Sequence, residues 1–167
     1  MRQDESAEER LRRLEDVHEL QQLRAHYCQH LDSGRWDELV ELFTEDGAFV
    51  GLSTARGSHD LRSFFASLRA GGVGAWWHFS SNETLRVDGD RASGQTWLLQ
   101  PCVVDGQSQI AAGRYVDRMV RCPDGRWRFE ERRVLFFWWS DVEHGWNPGT
   151  FVWPPAEAAA DEPEVGR

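Results

Sequence analysis

Apolar residues recur every third or fourth position from Ala7 to Leu31, where Leu11, Leu14, Val17, Leu20, Leu23, Tyr27 and Leu31 form one stripe. That spacing predicts a single long amphipathic helix. The polar run "DSGR" interrupts it, with Gly34 supplying the left-handed conformation in which helices commonly end. Trp36, Leu39, Val40 and Phe43 predict a short second helix over "WDELVELF", closed by "TEDG". "AFVGLS" predicts a brief strand, and "SHDLRSFFASLRAGG" a third helix with Ser58 as its N-cap.

After Gly74 the pattern changes to that of strands. "WWHFSSNETLRV", "RASGQTWLLQPCVV", "SQIAAGRYVDRMVRC" and "RWRFEERRVLFFWW" are joined by "DGD", "DGQ" and "PDG", whose Asp-Gly pairs carry tight-hairpin chemistry. Four long strands so connected predict an antiparallel meander. Helices first and sheet afterwards indicate the α+β class, with a curved antiparallel sheet wrapped on the N-terminal helices. A curved sheet cannot lie flat on straight helices, so a cone-shaped space is expected between them. The expected organisation is a flexible N-terminus over 1–7, a single α+β domain over 8–153, and a disordered acidic tail over 154–167.

The chain's 167 residues fit one domain, and its 40% hydrophobic and 28% charged residues are ordinary. Nine Trp and nine Phe are not. They predict either an aromatic-rich core or walls for an apolar, ring-shaped ligand. A net charge of −9 argues against a nucleic-acid partner and against an anionic membrane surface. The arginines of "DRMVRCPDGRWRFEERR" interleave with acids, as on solvated strand faces. Cys28, Cys102 and Cys122 form no CxxC pair, which suggests reduced thiols and a cytoplasmic setting. "MRQDESAEER" does not read as a signal peptide, and no apolar run reaches the roughly 18 residues of a membrane span.

Candidate chemistry gathers at three positions. Tyr27 lies on the helical stripe, Asp32 follows it by five residues, and His78 sits among Trp76, Trp77 and Phe79 at the start of a strand. Five helical residues turn through roughly 140°, so periodicity alone does not place Tyr27 and Asp32 together, and the helix is expected to end or bend for Asp32 to turn inward. By alternation His78, Ser80 and Asn82 share one strand face, with Trp77 and Phe79 on the other. His26 and His30 have i, i+4 spacing but no evident third ligand, so no metal site is expected. The absence of a glycine-rich phosphate loop, GxSxG or HExxH leaves no sign of a cofactor.

The stretches "LRAHYCQHLDSGRWDELVELFTEDGAFV", "GSHDLRSFF", "HFSSNETLRVDGDRA", "GRYVDRMVR" and "DGRWRFEERR" resemble the SnoaL-like members of the nuclear transport factor 2-like superfamily over about residues 8–140. "YCQHLDSGRWDEL" is similar to the local sequence of bile-acid 7α-dehydratases, and an Asp–His pair at the same two places serves dehydrochlorinase-like and scytalone dehydratase-like enzymes. The resemblance implies a cofactor-independent lyase or isomerase, with His78 as base, Asp32 orienting it, and Tyr27 as acid or oxyanion donor. Trp36, Phe49, Trp97, Gln100, Tyr115 and Phe136 are the candidate substrate-binding residues. Gln100 and Phe136 stand where bile-acid dehydratases carry an acid and an arginine, which points away from an anionic bile-acid–CoA substrate. A hydrophobic polycyclic or aromatic small molecule is expected instead. The alternatives are a polyketide or terpenoid cyclase and a non-catalytic binding module. The resemblance and the aromatic run "VLFFWWSDVEHGWNPGTFVW" imply a homodimer or homotrimer.

Overall fold

The computed structural model describes residues 6–145. Helix α1 spans Ala7–Ser33 and opens with a reciprocal cap: Glu9 N–H donates to Ser6 Oγ, and Ser6 N–H donates to the Glu9 carboxylate. Asp16, Leu20, Leu23, Arg24, Tyr27, Cys28 and Leu31 are its buried residues. The predicted stripe therefore packs only in its second half. Leu11 and Leu14, in its first half, are exposed. Gly34 ends the helix at φ 69°, as its position after the stripe predicts.

Helix α2 is shorter than expected, Trp36–Val40, and strand β1 already begins at Phe43 (Phe43–Val50). "TEDG" is thus part of a strand and not a closing turn. Its residues span a register shift between Phe43 and Ala48, where β1 runs parallel to β7 (Trp127–Asp141). Strand β2 (Thr54–Arg56) pairs antiparallel with β1, and helix α3 covers Ser58–Ala70. The N-cap of α3 is Gly57 and no side chain caps it; Ser58 is already helical.

Strands β3 (Val73–Trp76), β4 (Phe79–Asp88), β5 (Arg91–Val104) and β6 (Gln107–Arg121) complete the sheet with β7. The order is β2-β1-β7-β6-β5-β3, with β4 also paired to β5. The β4–β7 meander is antiparallel as the hairpin signals predict. The sheet as a whole is mixed, because β1 reaches it through the helices and enters alongside β7.

Register shifts at Ser81/Thr84, Ala112/Gly113 and Arg118/Met119 bend the long strands. Extra residues of this kind kink a strand and raise its twist, which curls a sheet. Gly113 belongs to one such bend: a Cβ there would meet the Leu135 carbonyl oxygen at 2.2 Å. Inside the curl, Tyr27 meets Phe43, Phe65 and Phe129 edge-on, with ring centres 5.8–6.2 Å apart. Each such aromatic contributes roughly 1.5–3 kcal/mol by leaving water, so this cluster fixes α1 against the sheet. Among the described residues no helix is long and apolar enough to cross a membrane.

Candidate active site

The strand expected from Trp76 onward is broken in two. β3 ends at Trp76, β4 starts at Phe79, and Trp77 and His78 occupy the break. The Trp76 indole N–H donates to the Leu31 carbonyl at 3.3 Å, and Trp77 N–H to the Pro101 carbonyl at 3.1 Å. These bonds pin the break between the C-terminal turn of α1 and the sheet. There Asp32 meets His78 twice. One carboxylate oxygen lies 2.5 Å from His78 Nδ1, and the other accepts the His78 backbone N–H at 3.1 Å.

Helix α1 stays regular through Asp32, so the expectation that it must end or bend there is wrong. The strand break comes to the helix instead. The His78 side chain is 5% exposed and that of Asp32 21%. A carboxylate at this distance accepts, so Nδ1 carries the proton and Nε2 is left with its lone pair.

His78 lies in the wall of a cavity of about 240 Å³. Tyr27, Phe49, Gln100, Tyr115 and Phe136 also line it, together with Leu31, Phe64, Phe65, Leu68, Trp76, Cys102, Val134 and Trp139. Among the described residues the wall is apolar apart from a few groups: the His78 ring, two phenols, the Gln100 amide, the Ser53 hydroxyl and the Cys102 thiol. The Tyr27 hydroxyl is buried and has no hydrogen-bond partner among the described residues. Burial raises the pKa of Tyr27 and of Tyr115 above the usual phenol value, and it likewise pushes the Cys28 and Cys102 thiols up. All four groups are neutral near pH 7, and the phenols can donate hydrogen bonds.

Two expected wall residues lie elsewhere. Trp97 is on the outer face of the sheet, 40% exposed, its ring 5.9 Å from that of Phe137 and its face covered by Arg114. On β5 the even-numbered residues from Thr96 to Cys102 are the buried ones, so a strand presenting Gln100 inward must present Trp97 outward. Trp36 packs against the core from the side and does not reach the cavity. Of the residues expected to share one face, His78 and Ser80 both turn to α1, Ser80 Oγ lying 3.8 Å from Cys28 Sγ, but Asn82 departs from them. Asn82 adopts φ 51° at the β4 register shift, which interrupts alternation.

The charged run expected to lie on solvated faces contains a buried ionic cluster. Asp117 and Arg132 are opposite one another on β6 and β7, and both are 0% exposed. Arg24 Nε is 2.9 Å from one Asp117 oxygen, and Arg132 Nε is 3.6 Å from the other. Strand parity could have found them: Asp117 lies two residues from Tyr115, and Arg132 two from Val134, both of which line the cavity.

Comparison with known proteins places this geometry in context. The SnoaL-like domain matches residues 12–133. An uncharacterised Mycobacterium tuberculosis protein is 33% identical over 124 residues, spanning 71% of this chain and 84% of its own. The anthranilate 1,2-dioxygenase small subunit of Burkholderia cepacia is 28% identical over 137 residues, with the same coverage. Among solved structures, a hexachlorocyclohexane dehydrochlorinase from Novosphingobium barchaimii superposes with a TM-score of 0.73 at 19% identity, over 87% of this chain and 99% of that one.

Proposed function

The chain belongs to the SnoaL-like domain family, and we propose that within it the protein is a cofactor-independent lyase or isomerase acting on a neutral, ring-shaped small molecule. The observation that carries this reading is the 2.5 Å contact from Asp32 to His78 Nδ1 at the wall of an apolar cavity. His78 Nε2 takes a proton from the carbon beside a ligand carbonyl, and the C–H electron pair moves to the carbonyl oxygen. Tyr27 donates to that oxygen as it becomes negative. Asp32 accepts from Nδ1 and stabilises the imidazolium, as a carboxylate does in a hydrolase triad. In an elimination, the enolate electrons re-form the carbonyl and a carbon–carbon double bond. The β-hydroxyl then departs as water with the proton from His78. In an isomerisation the same proton returns to another carbon.

The wall limits the ligand. Among the described residues the wall holds no Asp, Glu, Lys or Arg, and both phenols and the Cys102 thiol are held protonated by burial. A carboxylate or phosphate would therefore enter with little to pair it. A volume of about 240 Å³ lies just below the usual range of ligand pockets, roughly 300–1,000 Å³, and suits a compact ring system. Incubation with a panel of cyclic β-hydroxy ketones, followed by mass spectrometry, tests the reading. Loss of water, or isomerisation at constant mass, supports it. Tight binding of several panel members with no conversion of any would contradict it. A cyclase on the same pocket would give a ring closure from linear polyketide or terpenoid precursors by the same proton transfer.

A non-catalytic reading is favoured by a different observation. Trp77, Phe79, Trp97 and Leu99 expose apolar surface on the outer sheet, and one relative is named as the small subunit of a larger enzyme. In this reading the chain is an assembly subunit. In the enzyme reading the same face joins two or three copies of this chain. Sedimentation of the purified protein separates the two: a dimer or trimer fits the enzyme reading, and a monomer fits a subunit awaiting a different partner.

A further inference from the structure

Arg132 is fully buried, yet it is not in the cavity wall. Its guanidinium carbon lies 4.1 Å from the centre of the Tyr27 ring, 3.9 Å from that of Tyr115 and 4.7 Å from that of Phe129. None of its three nitrogens has a hydrogen-bond partner among the described residues. Its counter-charge, Asp117, is shared with Arg24, and Arg24 is otherwise 3.4 Å from the partly exposed Glu83. Buried ion pairs add little net stability, and incompletely bonded ones add less than an apolar side chain of similar size. A structural role alone accounts poorly for an arginine here. The two nearest of these three rings are the chain's only tyrosines, and both line the cavity.

We propose that Arg132 is a positioning residue for the cavity: stacked beneath Tyr27 and Tyr115, it sets the tilt of both rings and favours negative charge on the Tyr27 oxygen. A cation about 4 Å from a ring, away from water, interacts more strongly with a phenol that is becoming a phenolate than with a neutral one. The other groups facing Tyr27 are Cys28 from α1 and Tyr115 and Asp117 from β6. Burial disfavours the ionised phenol, as do Cys28 and Asp117, whereas Arg132 and the neighbouring Tyr115 side chain favour it. The effect is to make Tyr27 a better donor to an oxygen taking up charge, so the inference rests on the proposed role of Tyr27.

Its test does not depend on turnover. In a Tyr115→Phe chain grown with a fluorinated tyrosine, whose phenol is more acidic than tyrosine, the label occupies Tyr27 alone. Fluorine NMR then reads its titration with Arg132, Arg132→Lys or Arg132→Met in place. The expected midpoint rises by about one to three pH units in Arg132→Met, and Arg132→Lys restores most of that change. An unchanged midpoint in Arg132→Met overturns the proposal. If Arg132→Met does not fold, Asp117→Asn serves instead. Removing the opposing carboxylate is expected to lower the midpoint, and no change there overturns the proposal equally. A failure of His78 to act as base would leave these midpoints untouched.

Discussion

Asp32 holds His78 at two points, through the ring Nδ1 at 2.5 Å and through the backbone N–H at 3.1 Å. The one carboxylate therefore fixes both where the strand breaks and how the imidazole faces. Asp32→Asn keeps the shape but no longer stabilises an imidazolium, and its amide can donate to Nδ1 and select the wrong tautomer. Turnover is expected to fall by about a hundredfold to ten-thousandfold, the range attributed to a well-placed acid–base group. His78→Ala is expected to abolish turnover with the fold retained, which circular dichroism alongside the activity assay checks.

Tyr27→Phe separates function from stability. Its hydroxyl is buried without a protein partner, so removing it relieves an unsatisfied polar group. Thermal unfolding is expected to show the variant as stable as the parent or more so, by up to about 1 kcal/mol. The reaction rate is expected to drop by about tenfold, the equivalent of one lost hydrogen bond of roughly 1.4 kcal/mol in the transition state. An unchanged rate would assign the oxygen to another donor.

Alkaline stability follows from the same two phenols. Burial raises both above the ordinary value of 10.0. A group whose proton is held more tightly in the folded state stabilises that state fully below its unfolded value, and the contribution is lost as pH rises from there toward the folded value. Stability is expected to be level on this account up to about pH 10 and to fall above it. Tyrosinate absorbance should appear together with loss of the circular-dichroism signal; its appearance in a still-folded chain would show the phenols to be accessible.

Phe136 and Trp97 offer a paired test of the sheet's two faces. Phe136 lines the cavity and packs on Trp139 with ring centres 5.1 Å apart, whereas Trp97 is outside. Phe136→Ala is expected to cost about 2–3 kcal/mol of stability, less than full burial would imply, and to change ligand affinity. Trp97→Ala should leave ligand affinity unchanged and weaken self-association, as calorimetry and sedimentation would report.

Much of this architecture is legible in residue order. The α1 stripe, its end at Gly34 and the four long strands follow from periodicity and from hairpin residues, because those signals are local. The parallel pairing of β1 with β7 is not legible, since it joins segments some 80 residues apart and its strand begins in "TEDG", a sequence suited to turns. The meeting of Asp32 and His78 was suggested by resemblance but not by helical angle. It depends on a strand break that nothing in "WWHFSS" announces. The outward place of Trp97 is legible, because strand period sets it against Gln100. Asp117 and Arg132 lie in a run whose mixed charge has the pattern of a solvated face, yet both are buried. Their alternation with Tyr115 and Val134 pointed inward.

The most direct test of the base assignment is proton exchange. A cyclic ketone that binds in the cavity is incubated in heavy water with the protein or its His78→Ala variant, and deuterium beside the carbonyl is followed by NMR. The expected result is exchange well above the buffer rate with the parent protein and buffer-level exchange with His78→Ala, although both bind the ketone. Equal exchange by the two proteins would contradict the account, because the proton would then leave by a route that does not include His78.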